Sequence, residues 1–180
     1  MMIPLSFAQQ RLWFLHRLDG ANTTYNLPLA LRLTGDVDDA ALQRALEDLV
    51  SRHESLRTIF PDTDDEPQQV ILPTEKADFV LERAQARQAT LAAQLAEAAD
   101  HCFELTREIP FRAWLFRIDP QQHVLLLLCH HIASDGWSLA PLVRDLSVAY
   151  AARCQGQPPA WEPLPVQYAD YTLWQRELLG

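Results

Sequence analysis

The sequence is poor in cysteine, in positive charge and in long apolar runs. Its three cysteines, Cys102, Cys129 and Cys154, are odd in number, far apart and without a C-x-x-C pair. That excludes a disulfide scaffold and fits a reducing, cytoplasmic setting. Fifteen Lys and Arg stand against 24 Asp and Glu, a formal net charge of −9. Nucleic acid and anionic membrane surfaces need a basic patch, so neither is expected as the main partner. The same charge favours solubility and tolerates basic partners. The longest purely apolar run, Val124 to Cys129, is far short of the roughly 20 residues that span a bilayer. The opening MMIPLSFAQQRLWFL has no basic stretch leading into a pure apolar run and a small-residue cleavage site, so no signal peptide is expected.

What is present is ordinary for a folded domain. Of 180 residues, 48% are hydrophobic and 22% charged, which is enough for one sizeable core. Ser6 to Leu18 reads as a helix capped by Ser6 and ended by Asp19-Gly20. Leu27, Leu29, Leu31 and Leu33 alternate as in a strand, and Pro28 on the other face suggests an edge. Asp38 or Asp39 can cap a helix carrying Ala41, Leu42, Ala45, Leu46, Leu49 and Val50. Ser55 to Phe60 reads as a strand, Asp62 to Glu66 as a solvated loop, and Gln69–Leu72 and Phe79–Glu82 as short strands. Gln88 to Phe103 reads as a helix, Phe111 to Ile118 as a strand, and Val124 to Cys129 as a buried central strand. A helix is expected from Gly136 or Trp137 to about Arg153, then a Pro-rich loop to Pro165, then a last helix from Tyr168 to Leu178. Helices and strands interleave without a strict βαβ repeat, which predicts a mixed α/β fold and no all-parallel sheet.

The segment that can carry chemistry is His130-His131-Ile132-Ala133-Ser134-Asp135-Gly136-Trp137-Ser138. A hydrophobic strand delivers two histidines to its end, and Asp-Gly then opens a helix. Imidazole titrates near neutral pH and serves as general base or acid. A helix N-terminus supplies backbone N–H groups and a positive dipole end for an oxyanion. Asp135 can cap that helix or hold an arginine. For an isolated His-His pair, one packed and one solvated side chain is the simpler reading. Joint metal ligation is awkward, because adjacent strand side chains point to opposite faces.

The surrounding residues point further. H-H-x-x-x-D-G after a buried strand resembles the core motif of the condensation domains of nonribosomal peptide synthetases. It is shared with chloramphenicol-acetyltransferase-like acyltransferases. Ser6–Leu15 (SFAQQRLWFL) resembles the opening S-x-A-Q-x-R-L-W-x-L motif of the condensation family. Arg52–Phe60 (RHESLRTIF) resembles its second motif, R-H-E-x-L-R-T-x-F, and Tyr168–Trp174 (YADYTLW) its fourth, Y-x-D-Y-x-x-W. The likeness covers essentially the whole chain, with the four motifs in order. Heterocyclisation domains carry aspartates where this chain keeps both histidines.

The resemblance implies an α/β fold, with a mixed sheet flanked by helices, as the N-terminal half of a two-lobed domain. It implies amide formation between a donor peptidyl or aminoacyl thioester and an acceptor aminoacyl thioester. Both substrates would ride on the 4′-phosphopantetheine of carrier domains, with no cofactor or metal bound directly. His131 would be the catalytic residue, as base or as orienting group, and His130 mainly structural. Asp135 would pair with an arginine, with Arg52 and Arg57 as candidates. Gly136 would let a thioester carbonyl approach the backbone, since it has no Cβ. Arg11 would contact the loop or the substrate channel. Trp137 and Ser138 would follow the motif as in condensation domains and shape the site. Trp13, Phe14 and Leu15 read as core, His53 and Glu54 as solvated or capping, and Tyr168, Asp170, Tyr171 and Trp174 as packing for the last helix. The chain stops after the fourth motif, so residues 1–180 are expected to be the N-terminal lobe without its C-terminal lobe, and inactive alone. Two alternatives stay open. One is an acyltransferase with a free amine or alcohol acceptor. The other is a non-catalytic lobe that docks carrier domains or self-associates through its exposed face.

Overall fold

The computed structural model describes residues 3–63, 66–135 and 137–180. In chain order the elements are β1 (Ile3–Pro4), α1 (Phe7–Asp19), β2 (Asn26–Thr34), α2 (Asp39–Arg52), β3 (Thr58–Ile59), β4 (Asp62–Thr63), β5 (Glu66–Ile71), β6 (Leu81–Gln85), α3 (Leu91–Ala99), β7 (Phe111–Asp119), β8 (Gln122–His130), α4 (Leu139–Cys154) and α5 (Tyr168–Leu179).

The main sheet has the order β2–β8–β7–β6. Its β2–β8 and β7–β8 pairs are antiparallel, and β6–β7 is parallel. The sheet is therefore mixed, as the interleaved pattern predicts. β8 lies between β2 and β7 and is buried from His123 to His130. Successive side chains leave a strand on opposite faces. Leu125, Leu127 and Cys129 join Leu46 and Leu49 of α2 and Leu142 and Leu146 of α4 in one core. Val124, Leu126 and Leu128 join Leu91, Phe103, Leu105, Trp114 and Phe116 in a second, with Leu12 and Trp13 of α1 at its side. Two cores need apolar residues on both faces, which is why this strand reads as an unbroken apolar run. β2 covers one edge with Leu27, Leu29, Leu31 and Leu33 turned to the first core and Pro28, Ala30 and Arg32 exposed. A smaller sheet joins β1, β5, β3 and β4.

The caps follow the sequence. Ser6 Oγ accepts the Gln9 N–H at 3.2 Å, and Gln9 Oε1 accepts the Ser6 N–H at 2.9 Å. This reciprocal pair satisfies two helix-end donors. Asp38 Oδ1 accepts the Ala41 N–H at 2.9 Å and starts α2.

Four expectations need correction. Ser55–Arg57 is not strand: Glu54–Arg57 is a 3-10 turn, and only Thr58–Ile59 is extended. The Leu56 N–H bonds His53 O at 3.0 Å and the Thr58 hydroxyl bonds Glu54 O at 2.7 Å, so turn bonds claim this backbone. The acidic stretch is more than a loop, since Asp62 and Thr63 pair with Pro67 and Glu66; Asp64 and Asp65 lie outside the described residues. The helix expected over Gln88–Phe103 is shorter. It starts after the Arg87–Thr90 turn and ends at Asp100, releasing Phe103 to fill the second core. Phe14, expected in the core with Trp13, is 59% exposed.

Leu128 is fully buried and Leu173 is exposed on α5. Leu128→Ala should cost about 3 kcal/mol of unfolding free energy, and Leu173→Ala less than about 0.5 kcal/mol. Urea titration of the two variants checks the contrast.

Candidate active site

β8 ends between the two histidines. The His131 N–H bonds Tyr25 O at 2.8 Å, which carries the β2–β8 ladder one residue past the strand. His130 is 1% exposed, whereas His131 stands on the surface. The pair is thus split, one ring packed and one free, which fits different roles for the two.

His130 organises the turn that follows it. Its Nδ1 accepts the Ile132 N–H at 3.0 Å, and its carbonyl accepts the Ala133 N–H at 3.0 Å. An accepting Nδ1 carries no proton, so a neutral ring bears its hydrogen on Nε2. Burial, then the nearby His16 and His131, push the His130 pKa down from 6.5 to about 4. The ring is therefore neutral at physiological pH, as its acceptor role requires. Three rings enclose it: His16 at 5.8 Å, Phe103 at 6.1 Å and Tyr25 at 6.3 Å between centroids.

Asp135 and Ser138 brace the approach to α4. Asp135 Oδ1 accepts the Ser138 N–H at 2.9 Å and its hydroxyl at 2.7 Å. The Ser138 hydroxyl is the main reason the Asp135 carboxyl stays below its ordinary pKa. Asp135 thus closes the turn ahead of α4, whose N-cap position is Ser138 without a side-chain cap bond, so among the described residues it neither caps a helix N–H nor holds an arginine. Gly136 lies outside the described residues. Trp137 is 91% exposed beside the turn.

The arginines expected at Asp135 are elsewhere. Arg52 Nε donates to Asp145 Oδ2 at 3.0 Å, its Nη1 to Glu162 O at 2.6 Å, and its guanidinium lies 4.6 Å from the Trp161 ring. Arg57 Nη1 donates to Leu72 O at 2.6 Å, and its Nη2 is 3.6 Å from Glu54 Oε1. The reason is burial. Asp145 sits inside the α2–α4 packing, where an unpaired carboxylate is costly, so it draws the cation that the Ser138 bonds spare Asp135. Arg11 is exposed and forms no ion pair among the described residues.

His53 was expected to be solvated or capping. It ends α2 and also bonds Asp145 Oδ2 through Nε2 at 2.8 Å. Burial lowers the His53 pKa against the pull of Asp145. Burial alone would raise the Asp145 pKa, but hydrogen bonds from His53 and Arg52 outweigh it and lower it. Asp145 and His16 were both missed in the sequence. Neither lies in a motif, and the one signal was a charged residue at a buried helix position of α4. The described residues contain no group of three or more His, Cys, Asp or Glu placed to hold a metal ion, and no helix long and apolar enough to cross a membrane.

A family model described as "Condensation domain" matches residues 1–180. The chain is 57% identical over 179 residues to a probable non-canonical nonribosomal peptide synthetase, CymA, of Salinispora arenicola, covering 99% of this chain and 2% of that one. It is 57% identical over 178 residues to a dimodular nonribosomal peptide synthase of Bacillus subtilis, covering 99% and 8%. Among solved structures, the X-domain from teicoplanin biosynthesis superposes with a TM-score of 0.92 at 40% identity, covering 99% of this chain and 38% of that one. The chain thus spans a small part of these relatives and under half of that structure.

The low His130 pKa gives a signed pH dependence. The unfolded chain takes up a proton on this ring near pH 6.5, and the native chain only near 4. The ring's contribution is full above pH 6.5, falls as pH drops from 6.5 to 4, and levels off below, a loss of roughly 3 kcal/mol. His130→Gln keeps an acceptor for Ile132 and removes the titration. Urea midpoints measured across this window should fall less steeply in the variant; equal slopes would contradict the assignment.

Proposed function

This chain belongs to the condensation-domain family, and we infer that it is the N-terminal lobe of such a domain in a nonribosomal peptide synthetase. Condensation domains are acyltransferases that form amide bonds. In this reading the α-amine of a carrier-bound aminoacyl thioester attacks the carbonyl of a donor thioester. The C–N bond forms, the donor's C–S bond breaks, and the amine proton ends on the departing sulfur, which leaves as the donor carrier's free thiol. His131 takes that proton or orients the amine. The observation that carries this reading is the split of the histidine pair, with the second histidine exposed at the end of a buried strand, in the turn that leads on to α4. Neighbouring N–H groups at that helix start suit the oxyanion of a tetrahedral intermediate.

His131 stands on open surface in this lobe. A second lobe facing it would exclude water and hold two tethered substrates together, where effective molarity contributes several kcal/mol. Carrier domains bearing 4′-phosphopantetheine and the C-terminal lobe are therefore its partners, and the cytoplasm its compartment. The lobe alone is inactive. A second reading, docking without catalysis, draws support from the X-domain relative, which has been solved in a complex with OxyB.

The test is dipeptide formation between two loaded carrier domains. The intact domain containing this chain should turn over, with His131→Ala slowing it roughly 10²–10⁴-fold and the 180-residue chain alone giving no product. Full activity of the His131→Ala domain would overturn the catalytic reading and favour docking. Turnover by the chain alone near that of the intact domain would overturn the lobe reading.

A further inference from the structure

β8 carries another histidine, His123, near its start, and that ring is only 4% exposed. His123 lies seven residues before His130, about 23 Å along the strand, so what gathers around it stands apart from the histidine turn. The register sets Gln85, Arg117 and His123 directly opposite one another on β6, β7 and β8. Directly paired residues share a face of the sheet, here the face that carries Leu125 and Leu127 into the first core. A polar row therefore closes that core at the end of the sheet away from His130. With Asp39, Arg83 and Leu115 the row lines a cavity of about 200 Å³.

The lining suits an anion. His123 Nδ1 is sealed and has no hydrogen-bond partner among the described residues. Nε2 is unpartnered there as well but is not sealed, so it is the nitrogen that a ligand in the cavity can reach. A sealed N–H without an acceptor is costly, which places the ring's proton on Nε2. Arg117 is exposed and joins no ion pair among the described residues. Asp39 is the one acid on the lining, and Arg83 Nε holds its Oδ2 at 3.3 Å. Asp36 and Asp119, near the same end of the sheet, are both taken up by Gln121. Asp39 also opens α2, so the positive end of that helix borders the cavity. What is left over is a guanidinium, an imidazole N–H and a helix start.

We propose that this cavity binds a single phosphate group, with the Arg117 fork on two of its oxygens and the His123 Nε2–H on a third. A carboxylate has two oxygens, and the fork alone occupies both. A tetrahedral oxyanion keeps an oxygen for His123. The site shares no residue with the histidine turn and does not depend on the role of His131.

The test is 1H–15N NMR of the 180-residue chain titrated with inorganic phosphate at fixed pH, with sodium chloride holding the ionic strength constant. The shifts should saturate and centre on Gln85, Arg117 and His123. Arg117→Gln, a change at an exposed side chain, should weaken binding about tenfold or more. His123→Leu matches the apolar neighbours along β8 and should weaken it about five- to tenfold. Arg107→Gln, at an exposed arginine outside this cavity, should change nothing. Acetate should bind at least about tenfold more weakly than phosphate. Glycerol phosphate separates the sources: saturation by it as well marks a phosphate carried on a larger molecule, saturation by inorganic phosphate alone marks the free ion, and either supports the site. Shifts that stay linear and scattered over the surface would overturn the proposal. So would unchanged phosphate affinity in Arg117→Gln and His123→Leu, or acetate binding as tightly as phosphate.

Discussion

A strand buried on both faces sets the conditions for everything at this site. β8 fills two cores at once, with Leu125, Leu127 and Cys129 on one side and Val124, Leu126 and Leu128 on the other. Such a strand cannot end in a charged group without a large desolvation cost. Its last residue is a histidine whose burial and neighbours keep it uncharged. That neutrality leaves Nδ1 able to accept the Ile132 N–H. The chain then turns at once, and His131 comes out on the surface. The free imidazole is therefore a consequence of the buried one.

The turn passes into α4, which is held at two points. Near its start, Asp135 takes both donors of Ser138. Within its length, Asp145 binds Arg52 and His53 from the end of α2. Arg52 reaches on to Glu162 O and stacks on Trp161, and its own carbonyl accepts from Gln167 Nε2 at 2.9 Å. The Pro-rich loop and α5 are tied down through the same residue. α5 in turn meets α1 where Tyr168 Oη and Ser6 Oγ lie 2.8 Å apart and where Arg176 Nη2 donates to Leu5 O at 2.7 Å. The first, second and fourth motifs therefore brace one another.

Much of this was legible in the sequence, and the reason is locality. The apolar run of β8, the alternation in β2 and the caps at Ser6 and Asp38 are written within a few residues. The histidine pair was legible for the same reason, because neighbours on a strand end must part. What was not legible depends on residues far apart in the chain. Arg52 and Asp145 are 93 positions apart, and the choice of Asp145 over Asp135 is decided by burial that sequence alone does not reveal. His16 lies outside the motif it follows, and nothing in its own helix marks the ring it touches. Leu56 sits in a string of strand formers, but side-chain and turn bonds to Glu54 and His53 take the backbone first.

The central claim is that two adjacent histidines occupy opposite environments, one sealed and one open. Brief treatment of the native chain with a histidine-selective acylating reagent, with the site read by tandem mass spectrometry, tests it most directly. The expected result is rapid modification of His131 with His130 protected until the chain is unfolded. Modification of both at similar rates, or of His130 first, would contradict the account.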